Sequence, residues 1–349
     1  MILRPAMPMF RCVAVFLGLH LLFALLPASA EEQPLLRIAM LSDGGTFNDH
    51  SFNQNSREGI EELLYSGAPI YVQFYETTTS VDFEKQLAAF AERNYRLIIG
   101  IGFLMGPAME SVCTDYPRTL FTCVDGDFQD PAHNLSALSF QVDECAFPAG
   151  YLAAAWADLQ DPEDPAVAFV GGMDVDSVNQ FVVGFQNGAA HFNRTKGKNV
   201  RILGGHVGAF DQFDAGYAMA EGFLAEGADV LFGVGSISGN GAIAAAKDHG
   251  KWAIGVDTDQ YNTLLREQDI LLTSCLKRMD HAVQLAVQEA LNNSSWPKTR
   301  YVGTLANRGV DLAPYHHFAD QIPQTLHEEI LDIQRNIIEG TIQTGWKQK

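Results

Sequence analysis

From residue 36 onward, hydrophobic and polar positions follow two alternating rhythms. Short, nearly continuous apolar runs fall at residues 36–41, 69–75, 97–101, 120–124 and 135–140. Between the first of them lie longer stretches, 51–64 and 81–93, with apolar residues at helical spacing. The pattern then starts again. Helix-like stretches at 146–158, 179–192, 215–226 and 241–249 separate strand-like runs at 166–170, 200–203, 230–234, 252–256 and 271–276. Runs that are apolar at consecutive positions are buried on both faces, as in parallel sheets covered by helices. The alternation therefore predicts an α/β chain of two lobes. The Pro- and acid-rich residues 161–165 read as a surface turn, and no short repeat or low-complexity segment interrupts the series.

The first thirty residues follow a different rule. Arg4 and Arg11 precede or open an apolar run, residues 12–26, broken only by Gly18 and His20, and Pro27 then leads into Ala28-Ser29-Ala30. A basic start, a short apolar centre and a small-x-small end predict an export signal cleaved after Ala30. The run is shorter than the roughly 20 residues needed to span a bilayer. No cysteine stands directly after the cut, so no lipid anchor is expected, and the mature protein is expected to be exported and soluble.

The formal charge is −19 for 349 residues, and loss of the leader removes two arginines and no acid. So acidic a surface repels phosphate backbones and anionic lipid, which argues against nucleic acid and membrane surfaces as partners. Export places Cys113, Cys123, Cys145 and Cys275 in an oxidising space. They fall on predicted core elements and read as buried apolar residues, with one disulfide left open. There is no C-x-x-C pair, H-E-x-x-H, G-x-S-x-G or Walker A loop, so no metal, cofactor or catalytic residue is predicted. The adjacent His316 and His317 read as a solvated loop.

Parallel sheets bind ligands beyond the carboxyl ends of their strands, and the residues there carry the candidate chemistry. Asp43, straight after the first strand and before two glycines, is placed to point into a cleft. Asp49 and Ser51 read as caps of the next helix. Asp125 and Asp127 follow the fourth strand, where either loop chemistry or a site explains them. Phe210 lies in a Gly-rich loop, either plugging the core or offering its ring to a flat ligand. Gly235 opens the segment 235–241, whose backbone amides suit an oxygen acceptor. Asp257 ends one strand and Lys277 the next. Such a lysine either snorkels to the surface or joins a post-strand carboxylate in holding a polyol. A rival reading takes Gly233, Gly235, Gly239 and Asp257 as a variant dinucleotide fingerprint, which export and the position deep in the second lobe oppose.

Taken in order, residues 43–53 (Asp-Gly-Gly-Thr-Phe-Asn-Asp-His-Ser-Phe-Asn), 169–174 (Phe-Val-Gly-Gly-Met-Asp), 254–260 and 274–277 resemble the basic membrane protein family. These are the purine nucleoside receptor A-like solute-binding proteins of bacterial nucleoside ABC transporters. The likeness runs from about residue 36 to 340 and includes Val-Asp-Leu-Ala-Pro-Tyr at 310–315. It implies a type I periplasmic-binding fold of two Rossmann-like lobes with parallel sheets, joined by a hinge of three crossovers. The lobes would comprise residues 31–142 with 257–300, and 143–256 with 301–349. Asp43 would hydrogen-bond a base with Asn53 nearby, and Phe52 and Phe210 would sandwich it. Asp257 and Lys277 would hold ribose hydroxyls, and Asp125 and Gly235 would line the pocket. The implied protein is a non-enzymatic periplasmic monomer that delivers a nucleoside to an ABC permease in the inner membrane. The alternatives are a flavin or another flat heterocycle as ligand, or a membrane sensor as partner.

Overall fold

In the computed structural model, residues 35–77, 82–292, 295–296 and 300–347 are described. The leader, Val81 and the segment around Pro297 lie outside them. The apolar runs form strands for the reason their composition gives. In β3 (Leu97–Ile101) and β4 (Leu120–Val124) every position is buried, so each face meets a helix layer. Four further strands, β1 (Leu36–Ser42), β2 (Ile70–Glu76), β5 (Leu135–Phe140) and β11 (Tyr301–Gly303), complete a sheet in the order β11-β5-β4-β3-β1-β2. All its pairings are parallel. A second sheet, ordered β12-β10-β9-β8-β6-β7, contains β6 (Ala166–Gly171), β7 (Arg201–His206), β8 (Val230–Val234), β9 (Trp252–Asp257), β10 (Leu271–Lys277) and β12 (Val310–Leu312). It is parallel except for the β10–β12 edge.

The helices are α1 (Phe52–Tyr65), α2 (Phe83–Glu92), α3 (Gly106–Cys113), α4 (Asp143–Gln160), α5 (Asp176–Lys196), α6 (Phe213–Ala225), α7 (Ser236–Asp248), α8 (Met279–Asn292) and α9 (Gln324–Ile338). The Ala-rich α4 is buried from Cys145 to Ala157 and forms the centre of the largest apolar core with α5. α8 returns to the first sheet and packs on α1, where Asn55 Oδ1 accepts the Asp280 backbone N–H at 3.0 Å. α9 packs on α4, and the Tyr151 hydroxyl donates to Glu329 at 2.8 Å.

The chain passes between the sheets three times, at residues 141–142, at Arg278 and at residues 304–309. The strands are tied to one another there. Gln141 N–H donates to the Gly303 carbonyl at 2.7 Å, Arg278 N–H to Gly309 at 2.9 Å, and Leu305 N–H to the Glu144 carboxylate at 2.7 Å. Two strands lie on the other side of the expected lobe boundary. β10, within 257–300, pairs with β9 in the second sheet, and β11, within 301–349, pairs with β5 in the first. Periodicity locates strands and not their neighbours, so the expected second and third crossovers fall one element too early, while the first agrees. The four cysteines are buried and unbridged.

Candidate functional site

The carboxyl ends of both sheets face a single cavity of about 310 Å³. All eight residues singled out above line it: Asp43, Phe52, Asn53, Asp125, Phe210, Gly235, Asp257 and Lys277.

On the first lobe, Asp43 leaves β1 with its N–H on the Ile101 carbonyl at 3.0 Å, and its carboxylate accepts the Leu104 N–H at 3.1 Å. Gly102, at φ 112°, gives that carboxylate its space, since a Cβ there would lie 2.0 Å from an Asp43 oxygen. Burial pushes the Asp43 carboxyl up to about 7; the Asp125 charge adds to the rise, and the Leu104 N–H opposes it. Asp49 caps α1, accepting the N–H groups of Ser51, Asn53 and Gln54 at 3.0–3.1 Å. It thereby aims Phe52, the first helical residue, into the cavity. Asn53 donates its Nδ2 to Asp49 at 3.1 Å, and its buried Oδ1 has no partner among the described residues. That oxygen is an acceptor for a ligand N–H or O–H.

Ser51 departs from the expected cap. It makes no side-chain cap bond, and its hydroxyl donates to Asp257 at 2.6 Å across the cleft. Asp49 already occupies the amides a cap would take.

On the second lobe, β7 continues through Gly204-Gly205-His206, which the sequence placed in a loop. The loop that remains carries Phe210 and is pinned by α7. Ser238 donates its N–H to the Phe210 carbonyl at 3.0 Å and its hydroxyl to Ala209 at 2.9 Å, and it accepts the Gln212 N–H at 3.0 Å. A Cβ on Gly172 would lie 2.5 Å from the Phe210 ring, so glycine there lets the ring lie against the β6 end. α7 begins at Ser236, five residues before the expected start at residue 241.

Asp125, Ser236 and Asp257 all have positive φ, 60°, 49° and 68°. Such conformations are sparse for L-residues and gather at ligand sites. Lys277 is 2% exposed and so does not snorkel. The acid it holds is Asp125, at 2.5 Å across the cleft, rather than its neighbour Asp257. Its ammonium also lies 4.9 Å from the Phe52 ring centre and 5.3 Å from that of Phe140. Asp257 is raised to about 6, chiefly by burial, with Lys277 and the Ser51 hydroxyl pulling it down.

The lining also includes Phe103, Met173, Ser177 and Phe181, which sequence reasoning missed. Phe103 and Met173 follow β3 and β6, so the post-strand rule that found Asp43 reaches them. Phe181 lies within α5, where nothing local distinguishes it from core. The cavity therefore has aromatic walls and a carboxylate-rich floor, with one ammonium and no guanidinium among the described residues. Such a site suits an uncharged, flat molecule with hydroxyl groups and repels phosphate.

His316 departs from the expected solvated loop. It stacks on Tyr261 with centroids 3.8 Å apart, and its Nε2 lies 2.7 Å from Asp259. No group of three His, Cys, Asp or Glu residues among the described ones is arranged to hold a metal, and no described helix is long and apolar enough to cross a membrane.

Two such sheets joined by three crossovers, with a cavity between their carboxyl ends, define a type I periplasmic-binding fold. A solved ABC transporter solute-binding protein from Aeropyrum pernix superimposes with a TM-score of 0.81 at 22% identity, covering 88% of this chain and 92% of that one. The model of the Bmp family, PnrA-like ABC transporter substrate-binding proteins, matches residues 36–346, and the chain belongs to that family. A CD4+ T-cell-stimulating antigen of Listeria monocytogenes is 26% identical over 328 residues, 89% of this chain and 88% of the relative. The ABC transporter nucleoside-binding protein BmpA of Lactococcus lactis is 25% identical over 326 residues, 88% of each chain.

Proposed function

We propose that this ABC transporter substrate-binding protein takes up a nucleoside, with preference for a purine, and delivers it to an inner-membrane permease. The export signal ends at Ala30, and the mature chain works as a periplasmic monomer. One arrangement carries the reading: Phe52 and Phe210 share a cavity with Asp125, Asp257 and Lys277. A nucleoside offers a flat face to the rings and a diol to the polar cluster. Asp43 and Asn53 meet the base edge, Asp257 and Lys277 the ribose, and Asp125 and Gly235 complete the lining. In this reading Lys277 hands part of its contact with Asp125 to the sugar. The name of the Lactococcus lactis relative supports the ligand class. Uptake requires no bond to be made or broken; ring stacking and hydrogen bonds made in a cleft closed to water supply the affinity.

The test is isothermal calorimetry with inosine, guanosine, adenosine, cytidine, riboflavin and adenosine monophosphate. Tight binding of the purine nucleosides, and none of the monophosphate, is expected. Tighter binding of riboflavin, or no nucleoside binding, refutes the proposal. Phe210→Ala and Phe52→Ala should each weaken nucleoside binding by about 1–3 kcal/mol, the usual worth of base–aromatic stacking. Unchanged affinity in both variants would remove the rings from the site.

A further inference from the structure

A second set of contacts joins the lobes beside the cavity. The first-lobe carbonyls of Asp49 and His50 are gripped by donors from the second lobe. Asn240 Nδ2 donates to the Asp49 carbonyl at 2.9 Å. Gln260 Nε2 donates to the His50 carbonyl at 3.2 Å, and the Thr263 hydroxyl to the same oxygen at 3.0 Å. Asn240, Gln260 and Thr263 do not line the cavity.

Gln260 is fully buried and held as a rigid part. Its Oε1 accepts the Val256 N–H at 3.0 Å, its own N–H donates to Ser274 at 3.1 Å, and its Nε2 also donates to Asn240 Oδ1 at 2.9 Å. These three bonds lie within the second lobe and persist however the lobes stand. The bonds to Asp49 and His50 exist only when the lobes meet. His50 takes φ 58°, so its carbonyl is presented by an uncommon backbone conformation with two donors on it.

We propose that Asn240, Gln260 and Thr263 form a latch on the Asp49–His50 carbonyls that favours the closed lobes independently of any ligand contact. A binding-competent form raised in population raises apparent affinity by the same factor. The latch thus sets affinity without touching the ligand, and it depends on the two-lobed class rather than on the ligand being a nucleoside.

The test uses the mature protein without ligand, spin-labelled at Lys85 and Glu226 on opposite lobes, with distances read by double electron–electron resonance. Thr263→Val removes one donor at nearly constant shape. Gln260→Glu keeps the acceptor for Val256 and replaces the donor facing both His50 and Asn240 Oδ1 by an oxygen. Each should lower the closed-to-open ratio by roughly three- to tenfold, the worth of one neutral hydrogen bond. Thr273→Val breaks a bond to Ala313 inside the second lobe, and should lower the melting temperature while leaving the distances unchanged. If Gln260→Glu does not fold, Thr263→Val decides. Distances in Thr263→Val identical to those of the parent overturn the latch, as does a ligand-free parent that is wholly open. Calorimetry on the parent tests the nucleoside reading separately.

Discussion

Lys277→Met should destabilise the ligand-free protein by about 3–5 kcal/mol at pH 7.5, the usual cost of leaving one partner of a buried ion pair unmatched. Lys277 and Asp125 are both largely buried, with side chains 3% and 11% exposed. Methionine keeps most of the length and apolar volume of the stem and removes the ammonium that faces Asp125 and the Phe52 and Phe140 rings, so the loss is electrostatic. What remains is Asp43, Asp49, Asp125, Asp211 and Asp257 around one cavity with no lining cation among the described residues. The sign of the pH dependence follows. Lys277 holds Asp257 down, so without it that carboxyl rises above about 6, and the variant gains protons where the parent does not. The destabilisation should therefore shrink between pH 7.5 and pH 5. Asp125→Asn/Lys277→Met should recover part of the loss, because it removes the orphaned charge as well. Urea unfolding at both pH values provides the check. A penalty under 1 kcal/mol, or one equal at both values, contradicts the argument.

The same ion pair marks where reading from sequence stopped. Asp43, Asp125, Asp257 and Lys277 were all legible as candidates, because each ends an apolar run and a parallel sheet presents its strand ends to one side. Which acid meets Lys277 was not legible. Asp257 is nearer in sequence, but β4 lies across the cleft and brings Asp125 into reach, a relation set by how the lobes meet. Ser51 repeats the lesson. Local rules offer two caps for α1, and once Asp49 has taken the amides the Ser51 hydroxyl is free to cross to Asp257. The lobe assignment of β10 and β11 failed for a related reason. Hydrophobic period identifies a strand, while its sheet is chosen by partners far along the chain. Phe181 was out of reach altogether, being one more apolar residue on a helix whose inward face is mostly core.

Asp43→Asn should make the ligand-free protein markedly more stable at pH 8 and more stable by only about 1 kcal/mol at pH 4.5. Burial raises this carboxyl to about 7, against an ordinary value of 3.8. Between those values the folded chain keeps a proton that the unfolded chain has released, so its contribution is fully favourable in acid and is lost as pH rises through about 7. Asparagine has no proton to lose, and its amide oxygen still accepts the Leu104 N–H. Relative to the parent, the variant should therefore gain about 2–4 kcal/mol across that window, at about 1.4 kcal/mol per pH unit less an allowance for water in the open cleft. Asp257→Asn should show the same sign with the gain ending near pH 6, and a smaller size, because asparagine forfeits the attraction of Lys277. On the proposed reading both substitutions should weaken ligand binding, so that stability and affinity move in opposite directions at pH 8. That opposition is what a desolvated binding carboxylate requires, since its charge costs the empty protein free energy that only a ligand offsets. Urea titrations of parent and variant at pH 4.5, 6 and 8 decide it: a difference that stays flat across the three would mean that the Asp43 carboxyl is solvated and ionises as an ordinary surface aspartate.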